Sequence, residues 1–196
     1  MNTEKYNYFQ LNFKFGKEKR MEKVKRISIV GGPGTGKSTL AYNLGKKLDL
    51  PVYHLDAIDH FENWRKRDSK ERDKIILEKI EEAKWIIDGT YASTLEKRLK
   101  NSDLIIFLNY TTIARLKGVL SRYIKGRNKE KPDIPGCKEK MDLEFLKFTL
   151  NWKNTKGKQI KEMLDKNKDK KILIFKKRKD LNNWYEDEFG SKIEKM

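Results

Sequence analysis

Arg26-Ile27-Ser28-Ile29-Val30-Gly31-Gly32-Pro33-Gly34-Thr35-Gly36-Lys37-Ser38 is the stretch that decides the fold. Residues 26–30 read as a buried strand. Gly31 to Ser38 fit the pattern G-x-x-x-x-G-K-[ST] of a phosphate-binding loop. At this composition roughly one chain in a hundred would match that pattern by accident. The context lowers the odds further. From Lys37 to Leu48 the apolar residues Leu40, Ala41, Leu44 and Leu48 recur at helical spacing, so strand, glycine-rich turn and helix follow in the order the motif requires.

The residue types suit the task. Glycines let backbone N–H groups converge on phosphate oxygens, where a side chain would obstruct. The helix starting near Gly36 points its positive dipole end at the same anion. Lys37 reaches the β- and γ-phosphates, and the Ser38 hydroxyl is a ligand for Mg²⁺. Gly31, Gly32, Pro33, Gly34, Thr35, Gly36, Lys37, Ser38 and Thr39 are therefore the expected nucleotide-binding residues.

Working outward, further apolar strands alternate with helical segments. Strands are expected at 51–55, 85–87, 104–108 and 172–175. Helices are expected at 69–84, 95–99, 112–125, 141–165 and 180–189. Residues 126–140 read as a Gly/Pro/Lys-rich loop. Strands that are apolar throughout and separated by helices predict a parallel sheet covered on both faces. The predicted fold is α/β: a three-layer P-loop NTPase of nucleoside- or nucleotide-kinase type, with a five-stranded parallel sheet and a lid insertion. Ligands of such sheets sit beyond the C-terminal strand ends, here near 31–38, 56–60, 88–93 and 109–115.

Composition sets the bounds. A chain of 196 residues fits one domain, read as 24–190, with a polar-aromatic extension at 1–23 kept outside the core. Met21 is a possible alternative start. No run approaches the ~20 apolar residues of a membrane span, so no membrane is expected. The first twenty residues lack the apolar segment of a signal peptide. A single cysteine, Cys137, excludes an intrachain disulfide and a cysteine-rich zinc site, and fits a reducing cytoplasm. The net charge of +17 has two readings. One is a polyanion partner such as nucleic acid; the other, preferred here, is a lysine-biased composition. Lysines outnumber arginines 36 to 10 and spread over the whole chain, whereas a dedicated DNA surface more often clusters arginine.

The ordered motifs resemble those of adenylate-kinase-type P-loop kinases, and within that group the DNA topology modulation proteins. The resemblance covers about residues 25–155. It rests on the phosphate loop, on Leu50 to Asp56, on Trp85-Ile86-Ile87-Asp88-Gly89-Thr90-Tyr91, on Arg122 to Arg127, on Pro132 to Cys137 and on Asp142 to Leu146. It implies that Asp88 holds water on Mg²⁺ and borders the acceptor together with Tyr91; a strand-end cap is the plainer reading. It implies an acceptor-side acid at Asp56, with Asp59 as a second choice, able to bind a hydroxyl and act as base. Thr90, Tyr91 and Ser93 stand where adenylate kinases have Phe-Pro-Arg, so the arginine that grips a nucleotide acceptor is missing. His54 reads as a core histidine.

Arg122 and Arg127 take the place of lid arginines that neutralise the phosphoryl group in transfer. Their alternative is helix C-terminal charge. Arg115 is expected against the adenine base. Lys129 to Glu139 reads as part of a mobile lid, about 126–141, that excludes water. Leu143, Leu146, Leu150 and Trp152 are expected as core or lid support. The expected catalytic set is Lys37, Arg122, Arg127 and Asp56, with ATP and Mg²⁺ as cofactors. Three functions are weighed: a kinase acting on a small acceptor such as a nucleoside or nucleotide, a nucleotide-dependent DNA or RNA binder, and a simple NTPase. No nucleic-acid motif supports the second.

Overall fold

A computed structural model describes residues 20–127 and 129–195. The strands are β1 (Arg26–Gly31), β2 (Val52–His54), β3 (His60–Phe61), β4 (Arg65–Lys66), β5 (Trp85–Asp88), β6 (Leu104–Leu108), β7 (Glu130–Lys131), β8 (Ile134–Lys138) and β9 (Lys171–Phe175). The helices are α1 (Lys37–Leu48), α2 (Leu55–Asp59), α3 (Ser69–Glu81), α4 (Ala92–Lys100), α5 (Thr112–Gly126), α6 (Leu143–Asn151), α7 (Lys156–Lys166) and α8 (Arg178–Phe189).

Five strands pair in the order β2-β5-β1-β6-β9, all parallel. Strand periodicity divides their side chains between two faces. Ile27, Ile29, Leu104, Ile106 and Leu108 join α1 and α8 in one core. Val30, Ile105 and Phe107 join α4, α7 and Trp152 in a second. Trp85 and Ile87 pack under α3 with Leu55, Ile76 and Ile80 in a third. Both faces are covered, which is why these strands are apolar between their ends, Ser28 excepted. Ser28 satisfies its buried hydroxyl against Ser102 at 2.8 Å.

Five expectations change. The second strand spans three residues, and Leu55, with no exposed surface, turns the chain into α2 to fill the third core. Residues 126–140 are not a plain loop: Ile134 and Cys137 bury their side chains, and β7 and β8 pair as a hairpin. The helix expected over 141–165 is two helices, broken where the Trp152 carbonyl accepts the Gly157 N–H at 2.7 Å. Trp152 is buried, but Leu143 and Leu150 are exposed and support neither core nor lid. Finally, the core begins before residue 24, because Met21 on a 3₁₀ turn (Arg20–Lys23) packs with Val24 into the first core. The rest of the expected extension, 1–19, lies outside the described residues.

Candidate nucleotide and acceptor site

Gly31 to Gly36 wrap the C-terminal end of β1. Gly34 has φ +72°, a left-handed conformation that a side chain resists. Its neighbours also forbid one, since a Cβ there would fall on the Arg115 carbonyl and lie 2.7 Å from the Val119 nitrogen. Thr35 is buried and donates to the Gly32 carbonyl at 2.8 Å, so it braces the loop rather than facing a ligand. Helix α1 starts at Lys37 with no side-chain cap. Its first-turn N–H groups are left for an anion. Pro33, Gly36, Lys37, Ser38 and Thr39 are half-buried along this rim, while Gly31 and Gly32 are buried beneath it. The Lys37 amine donates to the Gly32 carbonyl at 3.1 Å. Desolvation pulls its pKa down, against the nearby Asp56 and Asp88 carboxylates.

Ser38 and Asp88 meet, and the hydroxyl donates to the Asp88 carboxylate at 2.9 Å. The other carboxylate oxygen accepts from His54 Nδ1 at 2.6 Å. His54 is thus a half-buried member of the site rather than a core histidine. Burial alone would lower its pKa, but the bond to Asp88 and the charges of Asp88, Asp133 and Asp56 hold it above the ordinary histidine value.

Asp56 is not at a strand end. It lies exposed in the first turn of α2, where it accepts from the Tyr91 hydroxyl at 3.2 Å and its charge reaches Lys37. Burial, Asp56 and Asp59 together push the Tyr91 phenol well above its usual range. Asp59 is 4% exposed and committed elsewhere, accepting from Arg72 at 3.1 Å. Arg72 also donates twice to Asp73, at 2.9 and 2.7 Å, and stacks over the Tyr91 ring at 4.8 Å. Asp59 therefore orders the wall behind Tyr91 and offers little to an acceptor, which corrects its expected role.

The β7–β8 hairpin lies down on the segment 60–66. The Trp64 N–H donates to the Cys137 sulfur, and the Cys137 thiol donates to the Phe61 carbonyl, both at 3.3 Å. Trp64 Nε1 donates to the Lys138 carbonyl at 2.8 Å. The hairpin tip brings Lys131 and Asp133 to the phosphate loop. Lys131 is 6% exposed, 3.7 Å from Asp133 and 5.2 Å above the Trp64 ring. Its charge, with that of Arg122, presses on Lys37. Asp133 is held ionised: burial opposes this, but Lys131, Ser38 and His54 outweigh it. Sequence reading overlooked both residues, because a lysine among 36 and an aspartate in a turn carry no signal of their own.

The expected lid arginines divide. Arg122 is close enough to act on Lys37, though it is paired with Glu139 at 2.8 Å. Arg127 caps the exposed end of α5. Arg115 is misplaced by the sequence reading. It has no exposed surface, stacks on Trp152 at 4.9 Å and donates to the Tyr110 and Thr149 carbonyls. It supports the loop from below, beyond reach of an adenine. Arg178, at the start of α8, approaches the loop instead, donating to the Gly34 and Thr35 carbonyls at 3.3 and 3.4 Å. Arg98 is buried behind Asp88, where it donates to the Gly89 carbonyl at 2.7 Å, and burial pushes its pKa down to about 10.

Hard oxygen donors from Ser38 and Asp88, next to a phosphate cradle, suit Mg²⁺, which needs only one or two protein oxygens when phosphates supply the rest. Among the described residues no group of three His, Cys, Asp or Glu could hold a metal unaided. No described helix is long and apolar enough to cross a membrane.

Residues 27–108, which span β1 to β6, match the family described as ATPase family associated with various cellular activities (AAA). No curated protein matches the chain. The solved shikimate kinase from Acinetobacter baumannii, in complex with shikimate, aligns with a TM-score of 0.55 at 16% identity. The alignment covers 82% of this chain and 88% of that one. The chain has a P-loop kinase-like fold. A shikimate kinase from Bacteroides thetaiotaomicron aligns with a TM-score of 0.47 at 19% identity, over 78% of this chain and 86% of that one. In this kinase-like fold, Lys37, Ser38, Asp88 and Asp56 gather at the C-terminal ends of β1, β5 and β2, where parallel sheets bind ligands.

Proposed function

We propose that the protein is an ATP-dependent phosphotransferase that moves the γ-phosphoryl group to a hydroxyl of a small acceptor. One observation carries the reading. Two lysines from separate parts of the chain, Lys37 on the loop and Lys131 on the hairpin, are desolvated within range of each other's charge. Two like charges brought together repel, and a phosphoryl group held by both offsets that repulsion. A cation on a hairpin that closes over the loop serves transfer, because closure excludes water as a competing acceptor.

The residues divide the work. The loop N–H groups and Lys37 hold the donor phosphates. Ser38 and Asp88 would hold Mg²⁺, which supplies charge neutralisation when bound. Asp56 takes the acceptor's proton as the new O–P bond forms and the bond to ADP breaks. Lys131 and Arg122 offset the charge on the transferring group. The segments that resemble topology modulation proteins, 85–91 and 132–137, build the acceptor wall and the hairpin, which supports a kinase-type role for them.

The test uses γ-³²P-labelled ATP with a panel of hydroxylated acceptors. Label should pass into an organic ester. Lys131→Ala should lower kcat by about a hundredfold, as loss of one positioned donor does, while ATP binding stays within a few-fold. Lys37→Ala should lose both. Label released only as inorganic phosphate, at a rate that ignores Lys131, would instead identify an NTPase.

A further inference from the structure

The N-terminal end of α4 opens beside the phosphate loop. Tyr91 precedes the helix and no side chain caps it, so the first-turn N–H groups have no partner within the helix. Ala92 and Ser93 are exposed there, while Thr94 and Arg98 beneath them are 2% and 0% exposed. Four residues apart, Thr94 and Arg98 share one face of α4. The Arg98 side chain runs back toward the helix start. Its Nη2 donates at 2.7 Å to the carbonyl of Gly89, which stands ahead of Ala92, the first residue of α4.

That bond uses one of the five guanidinium N–H groups. Among the described residues, six buried side-chain polar atoms have no hydrogen-bond partner, and three of them lie here: Thr94 Oγ1, Arg98 Nε and Arg98 Nη1. The two nitrogens carry three N–H donors between them. Burial lowers the Arg98 pKa only to about 10, so the guanidinium stays charged near neutral pH. Asp88 lies within range of that charge, but its oxygens accept from Ser38 and His54. A buried cation with idle donors is unfavourable. Water would satisfy the donors and leave the charge, whereas an oxyanion answers both. The dipole at the start of α4 favours the same ligand.

The place also suits an acceptor. The Thr90 hydroxyl donates to the Gly31 carbonyl at 3.3 Å, so the chain leaves the phosphate loop just before α4. From Thr90 to Ser93 the backbone spans about 10 Å at most. A small molecule anchored on α4 can therefore present a hydroxyl to the transferring phosphoryl group.

We propose that the start of α4 is an oxyanion subsite, where Arg98, Thr94 and the first-turn N–H groups hold a carboxylate or phosphate carried by the acceptor. This rests on the phosphotransferase reading above and narrows its substrate class to hydroxylated anions. The anion enters at the exposed helix start, with the guanidinium beneath it.

The test uses the full chain saturated with Mg-AMP-PNP, a non-transferable ATP analogue that occupies the phosphate loop. Sodium phosphate, sodium acetate and sodium chloride are titrated at matched ionic strength. The Arg98 Nε–H and the Ser93 and Thr94 amide signals are followed in ¹H–¹⁵N spectra. Phosphate or acetate should shift all three saturably, and the tighter of the two names the group. Thr94→Val should weaken that binding about tenfold, as loss of one hydrogen bond to a charged group does. This variant keeps the side-chain shape, so it carries the test even where Arg98→Met, which should abolish binding, destabilises the fold. Equal shifts with chloride overturn the subsite. So does the absence of a saturable shift with either oxyanion, the result expected if water alone fills the pocket. With labelled ATP, ester should form on anionic acceptors, and Thr94→Val should raise their KM about tenfold while the KM for ATP is unchanged. Transfer to neutral acceptors, indifferent to Thr94, overturns the acceptor role. Saturable shifts with no transfer to any acceptor would instead sink the phosphotransferase reading, so the two failures are told apart.

Discussion

The Trp64 N–H donates to the Cys137 sulfur at 3.3 Å, across seventy-three residues, and so fastens the hairpin to the acceptor-side segment. Asn63 and Trp64 both have positive φ, at 56° and 62°. A large side chain rarely adopts that conformation, and the Cys137 and Lys138 contacts hold it there.

Closure of the hairpin can be followed through this seam. Cys137 is the single cysteine and has no exposed surface. Its reaction with a thiol reagent should be at least ~100-fold slower in the native protein than in the unfolded chain, in line with stable local protection. Trp64→Ala should speed it while leaving the sheet intact by circular dichroism. Native labelling at the unfolded rate would show that the hairpin stands open.

The loop depends on bare backbone contact with α5. A Cβ on Gly118 would fall on the Gly34 carbonyl, and no side chain is there to move aside. Gly118→Ala should therefore push α5 from the loop, lower stability by about 1–3 kcal/mol and weaken ATP binding. A calorimetric melt and a nucleotide titration check both. An alanine that leaves the two unchanged would contradict the contact.

Arg72 is the structural keystone of the acceptor wall. Its removal strands Asp59, 4% exposed, without its charge partner. Arg72→Ala should cost about 3 kcal/mol in urea unfolding, the usual penalty for breaking a mostly buried pair from one side. Arg72→Lys should recover little, because one ammonium cannot span Asp59 and Asp73 as the guanidinium fork does.

Asp142 caps α6, accepting from the Phe145 N–H at 2.8 Å. That bond and Lys140 hold its pKa below the ordinary carboxylate value. A depressed folded pKa means the unfolded chain binds the proton first. The contribution is present above the ordinary value and fades as pH falls through the folded one. Asp142→Asn keeps a side-chain oxygen for the cap and cannot titrate. Urea melts from pH 6 to 3 should show the wild type losing more stability than this variant; parallel losses would remove Asp142 from the account.

Local sequence determined the frame. Residues 26–38 carry strand, turn and helix in consecutive order, and each later sheet strand announces itself as a short apolar run. A parallel sheet buried on both faces leaves no other pattern available. The loop residues and Asp88 stood out for the same reason: they sit in one contiguous motif or at a strand end, whereas Asp56 lies in the first turn of α2. What tertiary structure alone decided lies between segments distant in the chain. His54 belongs to the site because β2 lies beside β5 and places its ring against Asp88. Lys131 and Asp133 belong to it because Ile134 and Cys137 bury themselves and turn a Gly/Pro-rich stretch into a docked hairpin. Arg115 leaves it because Trp152, thirty-seven residues on, supplies the face on which the guanidinium lies. The periodicity of a chain encodes which face of an element is buried. It does not encode which distant charge will be waiting there, since that is fixed only when the cores close.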